Sequence, residues 1–211
     1  MTEIPDDAVA LADWRRQVAE MYARVRWQAG EDPKRACEAF RSWRDALFKT
    51  HPQSPLSSVG VERFSAIEYF PYDPRWRLIG RLESSARGHT YSLDLEDDGL
   101  FRYTQIGVLR LEALTGEATL ELYSLEGYGG GLFLPFLDGT NGDTTYGGGR
   151  YLLDTIKGAD LGLDRDGFVL DFNFAYNPSC AYDAGWVCPL APPQNGLPFE
   201  VLAGEKDFRP C

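Results

Sequence analysis

The densest group of chemically useful side chains lies in LDFNFAYNPSCAYDAGWVCPLAPPQN, residues 170–195. Read as a strand over 168–176, this text puts Asp171, Asn173 and Ala175 on one face and Leu170, Phe172, Phe174 and Tyr176 on the other. The aromatic face suits a core. Asp and Asn are poor strand formers, so two on one face suggest a specific use. Upstream, RYLLD places Arg150, Leu152 and Asp154 on a shared strand face. The guanidinium of Arg150 would either pair with Asp171 or clamp a ligand carboxylate or carbonyl through its planar fork. Asp171 or Glu205 is the candidate general base, provided that burial raises its pKa. Asn173 and Asn177 supply hydrogen-bond donors, and Tyr146 and Tyr176 complete the binding set.

Cys180 and Cys188 form a possible thiol site. Seven residues separate them, which is not the CxxC spacing of a zinc or thioredoxin-like motif. Three readings compete, in this order: buried small hydrophobes, a disulfide closing a short loop, and reactive or metal-binding thiolates. The short proline-bounded loop should keep the two sulfurs near each other. With no export signal in the acidic N-terminal text, a cytoplasmic setting is expected, where Cys37, Cys180, Cys188 and Cys211 stay mainly reduced.

Other chemistries lack their anchors. The sequence has two histidines, His51 and His89, and neither HExxH nor GxSxG. His51 follows a helix and reads as a cap; His89 follows Arg87-Gly88 and reads as exposed. GLDRDG at 162–167 begins on Gly162 and meets Asn173 where an EF-hand needs a bidentate Glu, so it reads as a polar turn. The glycine clusters at 127–131 and 147–149 are not phosphate loops, since no Gly-Lys-Ser or Gly-Lys-Thr follows; bends or bulges in a curved sheet explain them. No metal or cofactor is required.

The elements that must position these residues are legible from periodicity. Leu11, Trp14, Val18, Met21 and Val25 make one helical stripe, with Asp6 or Asp7 as cap. A second helix spans Pro33–Lys49, capped by Asp32, striped by Ala36, Phe40, Trp43 and Leu47, and ended before Pro52. Ala29-Gly30-Glu31 is short enough to make an antiparallel helical hairpin, with Trp14, Phe40 and Trp43 expected to be largely buried. From Val61 the period becomes two. Tyr91, Leu93 and Leu95 alternate, Asp97-Asp98-Gly99 turns the chain, and Leu109 and Leu111 face Ala118, Leu120 and Leu122 across the Thr115-Gly116 turn. The pattern predicts a mainly β fold: an antiparallel meander forming a sandwich or a partly open barrel, with an N-terminal helical hairpin. Residues 1–52 form the hairpin and 53–211 the β part, expected as one structural unit.

Composition narrows the partners. The chain has 211 residues and a net charge of −11. That acidity disfavours nucleic acid and anionic membrane surfaces, and no apolar run is long enough to span a bilayer. Five Trp, eleven Tyr and twelve Phe suffice for a sizeable core.

TTYGGGRYLLD, LDFNFAYNPSCAY, CPLAPPQN and AGEK, preceded by HPQSPL and IEYFPYDPRWR, occur in the order found in a bacterial and archaeal family known as domain of unknown function sixteen eighty-four, which the chain resembles over nearly its full length. Family members usually read PENRL or PENWL where this chain has PQNGL, so Gln194 replaces the acid and Gly196 the large residue. The resemblance implies where a site lies and carries no activity. The reading adopted is a small-molecule-binding protein, hydrolytic if a carboxylate acts as base with Arg150 as anchor. One alternative is a non-catalytic binding or interaction module whose polar residues form a structural network. A second is an enzyme using Cys180 as nucleophile or metal ligand. Oligomeric state is left open.

Overall fold

The computed structural model describes residues 7–84, 88–94, 99–113 and 116–209. The proposed cap at Asp6, the turn at Asp97-Asp98 and Cys211 lie outside them. Helix α1 spans Asp7–Ala29 and α2 spans Pro33–Thr50. The Asp32 side chain accepts from the Arg35 amide, and Pro33 occupies the first turn, where no amide is needed. α2 stops at His51, whose backbone turns extended ahead of Pro52. The hairpin buries Val18, Met21, Tyr22 and Val25 from α1 and Ala36, Cys37, Phe40 and Leu47 from α2.

Two expectations for the stripe need correction. Leu11 is exposed, because α1 has 23 residues against 18 in α2 and its first turns overhang the partner. Trp14 and Trp43 are half-buried, unlike Phe40. Trp14 leaves an edge against His51, and the Arg24 guanidinium covers Trp43 at 4.6 Å. A short helix the sequence did not announce, α3, follows at Ser58–Arg63.

Eight antiparallel strands then form one curled sheet, an open half-barrel. They are β1 (Arg77–Ser84), β2 (Thr90–Asp94), β3 (Leu100–Ala113), β4 (Gly116–Leu125), β5 (Gly131–Phe136), β6 (Arg150–Asp154), β7 (Leu163–Asp164) and β8 (Gly167–Asp171). Their order is β6-β5-β4-β3-β1-β8-β7, with β2 also on β3. Of the two closures left open by periodicity, the structure has the partly open barrel rather than two facing sheets. The β2–β6 part is the predicted meander. β1, which the alternation did not reveal, joins it to β8.

A bulge divides the core. β3 pairs with β4 as Gln105↔Tyr123 and Gly107↔Leu122, leaving Ile106 as the extra residue. The inserted residue sends Tyr103 to one face of the sheet and Leu109 and Leu111 to the other. On the first face, Tyr103, Tyr123, Phe133, Tyr151 and Phe174 pack beneath Tyr22 and Phe40 of the hairpin. On the second, Leu109, Leu120, Leu122, Leu134 and Phe172 pack with Leu197, Val201 and Ala203 of the C-terminal segment.

The expected strand over 168–176 ends early, at Asp171. Its carboxylate accepts from the Asn173 amide at 3.1 Å and closes a 3-10 turn over Phe172–Phe174. Both predicted faces of this text are consequently buried. The tail then threads between two segments: Phe70 N–H donates to Gly204 O at 3.0 Å and Glu205 N–H to Ala175 O at 2.9 Å. Gly204 adopts φ +77°, and a Cβ there would stand 2.7 Å from the carbonyl oxygens of Ala175 and Phe172.

Gly204→Ala therefore combines a left-handed backbone with a backbone collision. We expect it to cost at least about 2 kcal/mol of unfolding free energy in urea titrations. Gly99→Ala is the control for backbone strain alone, because its φ is +78° with open space around the position.

Candidate functional site

The tail that Gly204 threads delivers Glu205 into the interior, and four groups from three other parts of the chain converge on its carboxylate. Arg44 of α2 approaches Oε1 with Nε at 2.8 Å and Nη2 at 2.6 Å. Tyr69 O–H donates to the same oxygen at 3.3 Å. The Asn177 amide donates to Oε2 at 2.7 Å, and so does the Tyr182 hydroxyl. Burial alone would lower the Arg44 pKa, but Glu205 together with Tyr69, Tyr182 and Tyr22 holds the guanidinium well above its ordinary value. Burial, and then the Glu205 charge, push the Tyr182 phenol well up. The pair is a closed ionic unit, with Glu205 fully buried and every carboxylate oxygen occupied.

A cleft of about 70 Å³ lies beside this unit, between the hairpin and the loop 176–182. Trp14, Tyr22, Phe48, Tyr151 and Tyr176 give it aromatic walls, while Arg44, Asn177 and Tyr182 form its polar side. Two residues of this lining carry a buried polar atom with no protein partner, the Tyr176 hydroxyl and Asn177 Oδ1. The rest of Asn177 is engaged, with Nδ2 donating to Lys206 O at 2.8 Å. Lys157, at the rim, leans toward Asp154 at 3.8 Å. A larger groove of about 130 Å³ runs between 60–68 and 206–209. It contains none of the candidate site residues, and none of the described residues with an unpartnered buried polar atom lines it.

The structure thus brings together Tyr176, Asn177 and Glu205 and separates them from the others. Arg150 does not reach Asp171. It is fully buried and pairs with Asp138 at 2.8 Å. Its Nη1 donates to the carbonyls of Ala203 and Glu205 and its Nη2 to Val201. Burial lowers its pKa, against the opposing pull of Asp138. The reason for the mismatch is positional: Arg150 opens β6 opposite Phe136, whereas Asp171 closes β8 opposite Arg77 of β1, toward the other edge. Arg150 is the staple that holds the segment 201–205, and it does not line the cleft.

Asp171 is likewise buried, bonded to Asn173 Nδ2 at 2.8 Å and paired with Arg77 at 3.2 Å. Burial raises its pKa despite those partners. Asn173 in turn exchanges hydrogen bonds with the Asp73 backbone, at 2.8 and 2.9 Å, and so anchors the turn that leads into β1. Tyr146 is half-buried, with its hydroxyl 3.4 Å from Cys180 Sγ. Cys180 and Cys188 are adjacent thiols, as the Cys180 amide contact to Cys188 Sγ at 3.3 Å shows. Gln194 is exposed, while its neighbour Asn195 is buried and bonded to Glu121 and Pro135. His51 accepts from the Gln53 amide at 3.0 Å and meets Asp13 at 3.2 Å, a helix-end role. Among the described residues, no group of three or more His, Cys, Asp or Glu side chains is arranged to hold a metal, and no helix is long and apolar enough to cross a membrane.

Sequence reasoning missed Arg44, Tyr69, Tyr182 and Asp138. Arg44 carried a usable signal: it lies four residues after Phe40 and four before Phe48, inside the buried stripe of α2. A charge at such a position demands a buried partner. Tyr69 carried none, because its partner lies far along the chain, and neither did Asp138, which stands 12 positions before Arg150 outside any recognised motif.

A family model described as a protein of unknown function (DUF1684) matches residues 62–206. The chain belongs to this family. The family match takes in the sheet, the loop 176–182 and Glu205, while the opposite wall of the cleft comes from α1 and α2, which precede it. No curated protein matches the chain. Among solved structures it is similar to the solution NMR structure of an uncharacterised protein of Haloarcula marismortui, at 33% identity and a TM-score of 0.60, covering 85% of this chain and 96% of that one.

Two sets of variants check the electrostatic assignments. Glu205→Ala strands a buried guanidinium and should cost about 3–5 kcal/mol in chemical denaturation; the double variant Arg44→Met/Glu205→Leu should recover much of that loss. Asp171→Asn keeps the acceptor oxygen and removes the buried charge. Because the folded pKa of Asp171 is raised, its protonation favours the fold at low pH, and that contribution fades as pH rises through the folded value. Measured from acid to neutral pH, the stability difference should therefore move in favour of Asp171→Asn as pH rises.

Proposed function

We propose that this protein binds a small uncharged molecule in the cleft between the helical hairpin and the loop 176–182. One observation carries the reading: Tyr176 and Asn177, two residues of the aromatic-walled lining, hold a buried hydroxyl and a buried amide oxygen with no protein partner. Nearly every other buried polar group in this region is paired, and leaving such a group unpaired costs about 1–3 kcal/mol. A donor and an acceptor on two consecutive residues of an aromatic-walled cleft suit a ligand with one acceptor and one donor on an apolar body, such as an amide.

Charge argues against an anion. The Arg44 charge is committed to Glu205, and Lys157 sits at the rim facing Asp154. A carboxylate ligand would lose its hydration without a free cation to replace it. Size limits the buried portion, since the cleft is about half the roughly 150 Å³ cavity that takes up benzene. Glu205 serves here as an organiser: all its acceptor positions are engaged, so a role as general base would require breaking the Arg44 pair. Asp171 is not on the lining. Arg150, the Asp171–Asn173 pair and Asn195 make three separate structural anchors, on the tail, on the turn into β1 and on β4 and β5.

The test is an NMR titration of the intact chain with isobutyramide and isobutyrate. The amide should shift resonances of Tyr176 and Asn177 at concentrations where the carboxylate does not. Tyr176→Phe should weaken amide binding by about tenfold, the worth of one hydrogen bond, while leaving the free protein as stable as wild type or more so. Equal binding of the two probes, no binding of either, or a Tyr176→Phe variant that loses stability without losing affinity would each overturn the proposal.

A further inference from the structure

Outside the cleft, the least explained chemistry lies at the two half-buried sulfurs. Cys180 sits in the 3-10 turn Ser179–Ala181, and Cys188 returns beside it after the exposed stretch 184–187. The Cys180 amide donates to Cys188 Sγ at 3.3 Å, which sets the two thiols side by side. Tyr146, from the segment between β5 and β6, places its hydroxyl 3.4 Å from Cys180 Sγ. The return of Cys188 is pinned by Tyr151, whose hydroxyl donates to Pro189 O. Two thiols and a phenol from three separate stretches of chain therefore converge on one half-exposed point.

We propose that Cys180 and Cys188 form a redox-active dithiol that reduces a hydroperoxide, with Cys180 as the attacking sulfur and Cys188 as the resolving one. The Tyr146 contact assigns the roles, because a sulfur that faces a phenol hydroxyl carries charge more readily than one without that donor. Hydrogen bonding from Cys188 and Tyr146 lowers the Cys180 pKa to about 6 against the cost of burial, with Lys157 also favouring the thiolate. The same bond raises the Cys188 pKa above that of an ordinary thiol, and burial adds to the effect. Tyr146, itself raised by burial first and then by Cys180, stays a protonated donor. Cys37 is the contrast: burial pushes it up to about 12, and its sulfur faces Asn173 O at 3.6 Å.

The steps balance. The Cys180 thiolate attacks the terminal oxygen of ROOH. The O–O bond breaks, an S–O bond forms, and the leaving alkoxide takes a proton to become ROH. The Cys188 sulfur then displaces hydroxide from the Cys180 sulfenic acid. The S–O bond breaks, an S–S bond forms, and the Cys188 proton leaves with the hydroxide as water. In sum, two thiols and one hydroperoxide give a disulfide, an alcohol and water. A dithiol reductant restores the pair by exchange.

The experiment uses the full chain, reduced and freed of reductant, treated with equimolar hydrogen peroxide. Peptide mapping should find Cys180 joined to Cys188, with Cys37 and Cys211 still alkylatable. In Cys188→Ser, dimedone should trap a sulfenic acid on Cys180. In Cys180→Ser, Cys188 should oxidise at least about tenfold more slowly than Cys180 does in wild type, because burial still favours its protonated form and no phenol faces it. Tyr146→Phe, testing a positioning residue, should slow Cys180 oxidation and shift its alkylation profile to higher pH while retaining the wild-type unfolding midpoint. The proposal fails if Cys188 reacts as fast without Cys180, if Cys180 pairs with Cys211 instead, or if Cys180 reacts no faster than Cys37. Since Cys180 does not line the amide cleft, these outcomes are independent of the binding titration.

Discussion

The buried carboxylate of Glu205 is the constraint around which the functional end of the molecule is arranged. An ionised group taken out of water is tolerated only when other charges and dipoles replace its hydration. Here the replacement comes from α2 through Arg44, from the segment before β1 through Tyr69, and from the loop 176–182 through the Asn177 amide and the Tyr182 hydroxyl. Any displacement of one segment leaves the others facing an uncompensated charge. The hairpin, the tail and the signature loop are thus tied to one another by a single side chain, in a way that apolar packing alone would not specify.

The rest of the architecture brings that carboxylate to its place. Arg150 fastens the tail from below by donating to the carbonyls of residues 201, 203 and 205, and Asp138 neutralises it. Gly204 lets the tail pass where a side chain would strike two carbonyls. The bulge at Ile106 gives the sheet two apolar faces, one for the hairpin and one for the tail. With both faces covered, the hairpin's overhanging end and the loop 176–182 meet without filling the space between them, and the cleft lies there.

The consequence for chemistry is a division of labour. Most of the polar residues concentrated in the C-terminal text are spent on each other and on backbone groups, so they position the chain. What remains available is small: one phenol, one amide oxygen and, a short distance along the same loop, a pair of thiols held by Tyr146. Both are on the loop that Glu205 anchors, which explains how a segment with almost no regular secondary structure keeps a defined geometry.

Local rules made a good part of this legible in advance. The cap at Asp32 and the stop before Pro52 depend on neighbours within four residues, and so the second helix was readable to within a residue of its end. Strict alternation made the β3–β4 pairing readable for the same reason, and the short proline-bounded loop between the two cysteines led to the expectation, met in the structure, that their sulfurs lie close together. The breaks came where side chains took partners that the strand pattern does not show. The strand over 168–176 failed because the Asp171 side chain prefers its own backbone to a ladder. The polar face of β6 proved to be buried, because its ion partner is Asp138 and not Asp171. Type and spacing marked Tyr176, Asn177 and Glu205 as worth attention, but only the tertiary structure set Arg44 against Glu205, across 161 positions of sequence. Periodicity reports which way a side chain points relative to its own element. Which charge it meets there depends on how the elements are stacked, and that is a property of the folded chain alone.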